Sequence, residues 1–143
     1  MTPTDRIGID PQTDRVLIAR VASGEDGLRE CSIESRAVSD SGAAIAHAPV
    51  TIAVPDHEVA VKSLYLPPSA SLDFQSRASF ELSQSVLEPP DRFHFDAVPT
   101  SMRDRYIGLI YRQERLQLLK GTLLAGQNGS TPEPRYLMRA IAL

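Results

Sequence analysis

Apolar residues in the first third of the chain form short runs or alternate with polar ones, and turn-forming residues separate them, which predicts strands. Ile7 to Asp10 reads as the first strand, followed by turn chemistry in Asp10-Pro11-Gln12-Thr13-Asp14. Arg15 to Ala22 is a β-branched, apolar second strand, turned back by Ser23-Gly24-Glu25-Asp26-Gly27. Leu28 to Ser35 then completes an antiparallel meander. Residues 39–48 are small and include a glycine, so a loop or at most a helical turn is expected there. A strand pair follows: Val50 to Val54, closed by Pro55-Asp56, and Glu58 to Leu66, stopped by Pro67-Pro68.

Beyond the double proline the apolar period lengthens from two to about four. Phe74, Ala78, Leu82 and Val86 share one helical face, Ser71 is available as N-cap and Asp73 suits the positive first turn, so a helix is expected over 72–87. Strands are expected at Arg92 to Val98 and Tyr106 to Arg112, joined by a polar link. Gln113 to Ala125 reads as a second helix with Leu116, Leu119, Leu123 and Leu124 on its buried side. Gly126 to Pro134 has linker composition, and Arg135 to Leu143 is expected to begin another helix.

Length and charge narrow the class. A chain of 143 residues suits one domain, or two small subdomains sharing a core, and buries roughly 68% of its unfolded surface. With a net charge of -3 it lacks the basic excess needed to neutralise phosphates, so no nucleic-acid partner is expected. Cys31 is the single cysteine, which rules out an internal disulfide and a cysteine-based metal framework, and suits a reducing cytoplasm. On its strand it reads as a small core residue. The N-terminus lacks signal-peptide character and no apolar run approaches about 18 residues, so membrane association is expected to be indirect, through a partner.

Candidate chemistry is sparse. His47, His57 and His94 do not fall at metal-ligand spacing, and no serine sits in a nucleophile elbow, so neither a metal set nor a catalytic set is predicted. His94 and Asp96 share a strand face two residues apart and read as a sheet hydrogen bond. Tyr65, Phe74, Phe80, Phe93, Phe95 and Tyr106 hold most of the aromatic content; they form either a small core or, in part, the lining of an apolar groove beside the Pro-Pro hinge.

Ile7-Gly8-Ile9-Asp10 followed by Val16 resembles the opening hairpin of the actin-like proteins that include PilM and FtsA. Val50-Thr51-Ile52-Ala53-Val54-Pro55, then Val61-Lys62-Ser63-Leu64-Tyr65-Leu66-Pro67, is similar to the PilM strand pair that runs into an inserted subdomain. Glu81, then Leu87-Glu88-Pro89 and Phe95-Asp96, and finally Tyr136-Leu137-Met138-Arg139-Ala140, continue the resemblance in order over nearly the whole chain. It implies an α+β fold, the N-terminal half of an actin-like (ribonuclease H-like) fold with an inserted strand-helix-strand-strand subdomain. The implied division is 1–66 for the actin-like strands, 67–126 for the inserted subdomain, and 127–143 for a linker and the start of a return helix.

The resemblance also sets functional expectations. Active members carry a glycine turn and a lysine around the first hairpin; here those positions hold Pro11, Gln12 and Leu17, leaving Asp10 and Thr13 as the residual nucleotide contacts of a degenerate site. Neither a cofactor nor enzymatic activity is expected, ATP and Mg entering only if the full actin-like fold is completed. The implied role is a cytoplasmic scaffold of type IV pilus or related secretion assembly, peripheral to the inner membrane. Its implied partner is the N-terminal tail of a PilN-like inner-membrane protein, held in a groove with Tyr65, Leu66, Phe74, Phe93 and Phe95 as candidate lining. The alternative is the N-terminal fragment of a longer PilM/FtsA-type ATPase. Self-association, or a second polypeptide supplying the missing half, is compatible with the scaffold, and the related GspL cytoplasmic domain keeps type II secretion open.

Overall fold

A computed structural model of the protein describes residues 4–38, 49–124 and 133–142. The described chain divides into two compact units, residues 1–56 with 117–143, and residues 57–116. The first is therefore discontinuous, with the second inserted after its fourth strand.

The first unit is built on a five-stranded sheet. β1 (Thr4–Pro11), β2 (Arg15–Gly24) and β3 (Gly27–Ala37) form the expected meander, with β1 and β3 longer at both ends and β2 longer at its far end than the apolar pattern alone suggests. β4 (Val50–Val54) lies parallel to β1 on its other side, and a later strand, Arg135–Met138, lies parallel to β4, giving the order β3-β2-β1-β4 with that strand outermost. Strand alternation sorts the side chains onto two faces. Ile9 pairs with Ile18 and Ile52, and Ile52 pairs with Tyr136; all are buried, as are Ile7, Val16, Val50 and Val54. The opposite face carries Gly8 beside Ala19 and Thr51, Asp10 beside Leu17, and Ala53 beside Leu137.

The second unit is a strand, helix, strand, strand motif. β5 (Val59–Tyr65) is followed by α1 (Phe74–Ser83), β6 (Phe93–Pro99) and β7 (Arg105–Arg112), and the strands form an antiparallel sheet in the order β5-β7-β6. Ala78 and Leu82 of α1 are fully buried and cluster with Leu64, Leu66 and Ile110; Phe93, Phe95 and Tyr106 pack against this cluster. Gly108 on the central strand leaves room for Leu82, whose Cδ2 sits 2.5 Å from where a Cβ on residue 108 would fall. α2 (Gln113–Leu123) follows β7 directly, with Leu116, Leu123 and Leu124 buried and Leu119 half-buried. β8 is the Arg135–Met138 strand, and α3 (Arg139–Ala142) is a single turn after it.

Five expectations need correction. The Val50–Val54 and Glu58–Leu66 segments do not pair: β4 joins β1 and β8, whereas β5 joins β7, so the break between units falls at residue 56 rather than 66. Residues 117–124 and 133–142 return to the first unit, so the inserted body ends at residue 116 rather than 126. Residues 135–138 are a strand, not the start of a helix, because four backbone positions pair in parallel register with β4. The helix expected over 72–87 is shorter and is capped by Asp73 rather than Ser71: the Asp73 carboxylate accepts from Ser76 N at 2.8 Å and from Ser76 Oγ at 2.7 Å. Cys31 is exposed rather than part of the core, since β3 is the outer strand of the described sheet. The loop expected at 39–48, with His47, and most of the linker expected at 126–134 fall outside the described residues.

Candidate functional site

In sheets with parallel strands the carboxyl ends of those strands are the usual place for a ligand, because chain reversals there gather polar groups from several strands. In the first unit these ends belong to β1, β4 and β8, and they bring together Asp10, Asp56 and Arg139. Arg139 Nε donates to Asp10 Oδ1 at 2.8 Å, and its Nη2 donates to the Pro11 carbonyl at 2.8 Å. The second oxygen of Asp10 accepts from Gln12 Nε2 at 2.9 Å. Asp56 Oδ1 accepts from Ala140 N at 2.9 Å, anchoring the first turn of α3. The β1–β2 turn is itself closed by Gln12 N donating to the Arg15 carbonyl at 2.7 Å. Thr13 is exposed at the tip of this turn.

The residues of the turn do not fit a magnesium-linked phosphate. Pro11 has no N–H to offer and Gln12 places its amide on Asp10, so the backbone donors and the free carboxylate that such a group needs are not presented together. Leu17, on the strand beside Asp10, carries no charge and is 38% exposed. Sequence reasoning missed Arg139 and Asp56. Arg139 is 129 residues from Asp10, and only the β1-β4-β8 parallel register brings them together.

Next to this turn the open face of the sheet forms a cavity of about 410 Å³, with Leu17, Ala19, Val21, Ile33, Ala53 and Leu137 among its lining and Arg6, Asp10, Thr51 and Arg139 at its polar positions. Ile33 is 72% exposed, so the cavity is a hollow with an apolar floor and wall rather than an enclosed chamber.

The five candidate groove residues all lie in the second unit, but strand alternation separates them. Leu66 is buried in the core cluster, with Phe93 and Phe95 packed against it and their rings 6.2 Å apart. Phe74 is partly exposed at the start of α1 and its ring lies 4.7 Å from that of Tyr106. Tyr65 points from the opposite face of β5, largely exposed, with the Arg105 guanidinium 4.8 Å from its ring centre. Arg112 lies over the Phe93 ring at 5.4 Å and makes a two-pronged pair with Glu88, at 2.9 and 3.2 Å, which holds the Glu88 carboxyl below the ordinary carboxylate range. The set thus contains a core residue, Leu66, and two accessible aromatics, Phe74 and Tyr65, each with a fixed neighbour. His94 packs its ring 5.8 Å from that of Tyr111, while Asp96 accepts from Ala97 N at 2.8 Å.

These two units, one a mixed sheet in β3-β2-β1-β4-β8 order and the other inserted after β4, have counterparts among solved structures. The cytoplasmic domain of EpsL, an inner-membrane component of the type II secretion system of Vibrio cholerae, is similar over 85% of this chain and 52% of its own, at 13% identity and a TM-score of 0.50. The PilM–PilN type IV pilus biogenesis complex contains a chain similar over 83% of this one and 45% of its own, at 16% identity and a TM-score of 0.53. The fold is actin-like. A protein of unknown function with an actin-like ATPase fold from Bacteroides thetaiotaomicron is similar over 97% of this chain and 53% of its own, at 10% identity and a TM-score of 0.48. The chain therefore spans about half the length of the actin-like structures it matches. No protein-family model matches the sequence, and no curated protein does. Among the described residues no helix is long and apolar enough to cross a membrane.

Proposed function

We propose that this actin-like chain is a scaffold of type IV pilus or related secretion assembly, and that it binds the cytoplasmic N-terminal tail of a PilN-like inner-membrane protein. The observation that carries the proposal is the agreement in fold with the PilM–PilN structure over 83% of the chain. The EpsL likeness supports the same class of assembly, at the cytoplasmic face of an inner membrane. Support from the chain itself comes from accessible aromatics on a rigid support. Phe74 and Tyr65 offer large apolar area at low entropic cost, and Arg105 beside Tyr65 adds a cation for a carboxylate or carbonyl of a docking peptide.

In this reading the nucleotide site is degenerate and the protein acts by binding rather than by catalysis. The place of the chain is the cytoplasmic side of the membrane, reached through the partner. The test is calorimetric titration of the purified chain with a synthetic peptide of a PilN-like cytoplasmic tail from the same genome. Binding at micromolar concentration that is lost in Phe74→Ala supports the proposal; no heat at high micromolar peptide overturns it.

A further inference from the structure

The carboxyl ends of β1, β4 and β8 carry a polar cluster that the tail-binding role does not use. Asp10, Pro11 and Gln12 come from the end of β1, Asp56 follows β4, and Arg139 follows β8, so three parallel strands contribute to one polar cluster. Every described contact within it is internal. The Asp10 carboxylate has one oxygen on Arg139 and the other on Gln12, and the guanidinium spans from that carboxylate to the Pro11 carbonyl, each at 2.8 Å. Both charged side chains are partly buried, at 31% exposure for Arg139 and 23% for Asp10, so the pair is screened less than a surface ion pair. A guanidinium is permanently charged, planar and held by two separate acceptors here, which makes it a fixed cation rather than a passing one.

We propose that Arg139 is a built-in cation that occupies the carboxyl end of β1 and locks β8 and α3 onto it, engaging the Asp10 carboxylate that a metal-linked phosphate would need. The lock rests on the degenerate-nucleotide part of the reading above and is independent of which tail the protein binds. Asp10 is held by its own chain, so a divalent cation would have to displace a guanidinium with two hydrogen bonds before reaching the carboxylate. Asp56 completes the lock from the β4 side by holding the backbone of Ala140, so that the residue next to Arg139 is fixed as well. The C-terminal strand is thereby tied to the first strand by charge as well as by its ladder to β4.

Amide hydrogen exchange on the whole chain tests this, comparing the wild type with Asp10→Asn, Arg139→Gln, Arg139→Lys and the double variant Asp10→Asn/Arg139→Gln. Loss of the whole two-acceptor contact in Arg139→Gln should speed exchange of the β8 amides, residues 135–138, about tenfold, and Asp10→Asn, which leaves the Pro11 carbonyl contact, should speed it by a smaller factor. Arg139→Lys, which keeps the charge but not the fork, should fall between them and the wild type. The double variant should exchange no faster than Arg139→Gln alone, because the Asp10–Arg139 contact is already lost there. The β2–β3 hairpin amides should be unchanged, which separates a local lock from general destabilisation. Additive effects in the double variant, or unchanged β8 exchange in the single ones, overturn the lock. Protection of residues 10–14 by Mg·ATP in the wild type would overturn the exclusion of nucleotide. Tail binding measured by calorimetry in the same variants should be retained, so a failure of the scaffold reading would appear separately, as absence of binding in the wild type.

Discussion

Gly108→Ala is the substitution whose consequence follows most directly from the packing of the second unit. A Cβ at residue 108 would fall 2.5 Å from Leu82 Cδ2, 3.1 Å from Leu64 Cδ1 and 3.2 Å from Leu64 Cγ. A side-chain end can swing away only where there is space, and Leu82 is fully buried while Leu64 is 5% exposed. The strand must therefore shift or the helix must lift, an overpacking cost of about 1–3 kcal/mol. Against it stands about 0.4–1 kcal/mol gained by restricting the unfolded chain when glycine becomes alanine. The net expectation is a destabilisation of about 1–2 kcal/mol, which lowers a urea midpoint by about 1 M for a unit of this size.

The chain has no tryptophan and four tyrosines, of which Tyr65, Tyr106 and Tyr111 lie in the second unit. In a Tyr136→Phe background, tyrosine fluorescence under urea therefore reports that unit alone. Leu82→Ala by itself should cost about 2–5 kcal/mol by leaving a cavity. In its presence the Gly108→Ala effect should change sign, because the new methyl enters the vacated space. A Gly108→Ala protein as stable as the parent, or one whose cost is unchanged by Leu82→Ala, would refute the close packing of α1 on β7.

Leu66→Ala should destabilise the second unit by about 2–5 kcal/mol, since Leu66 is part of the buried cluster, and should be detected in the same urea assay. By contrast Phe74→Ala and Tyr65→Ala should lower the midpoint less than Leu66→Ala, Phe74→Ala by the lost packing on Tyr106, and weaken tail-peptide binding about tenfold or more in calorimetry. Asp73→Ala should lower stability at neutral pH by removing the α1 cap. The backbone N–H of Ser76 holds the Asp73 carboxyl below the ordinary range, so its contribution is present above the usual aspartate pKa of about 3.9 and is lost as pH falls through the depressed folded-state value. The wild type and Asp73→Ala should therefore converge in acid, as thermal melts between pH 7 and pH 2 (about neutral to well below the carboxylate range) would record. Arg115→Ala should cost about 1–3 kcal/mol, because it removes the ion-pair partner of Glu58, a carboxylate only 14% exposed, and circular dichroism melting measures it.

Much of the fold was legible from local pattern. The three-strand meander, β4, the α1 face of Ala78 and Leu82, and the β6 and β7 strands all follow from period and turn chemistry, because those signals are carried by residues adjacent in sequence. The actin-like fold was legible too, through the order of short motifs rather than any one of them. The candidate sites were less so. Asp10 at a strand end and Pro11 beside it, which has no N–H, are plain from the sequence. Local pattern does not sort the five groove candidates, since which of Tyr65 and Leu66 faces the helix depends on the register of β5 against β7.

By itself the sequence determined the elements whose period or turn chemistry is local, from the β1–β3 meander to α2, and that Pro11 brings no backbone N–H to the β1–β2 turn. For Tyr136-Leu137-Met138 the local pattern points to a helix and is wrong, because a short apolar run carries no period of its own and takes the state its neighbours impose. Only the tertiary structure decided that this run becomes β8, parallel to β4, and that β5 leaves β4 for a sheet of its own. The same parallel pairing delivers Arg139 to Asp10 across nearly the whole chain, since hydrogen-bond ladders fix distant residues in space where sequence separation says nothing.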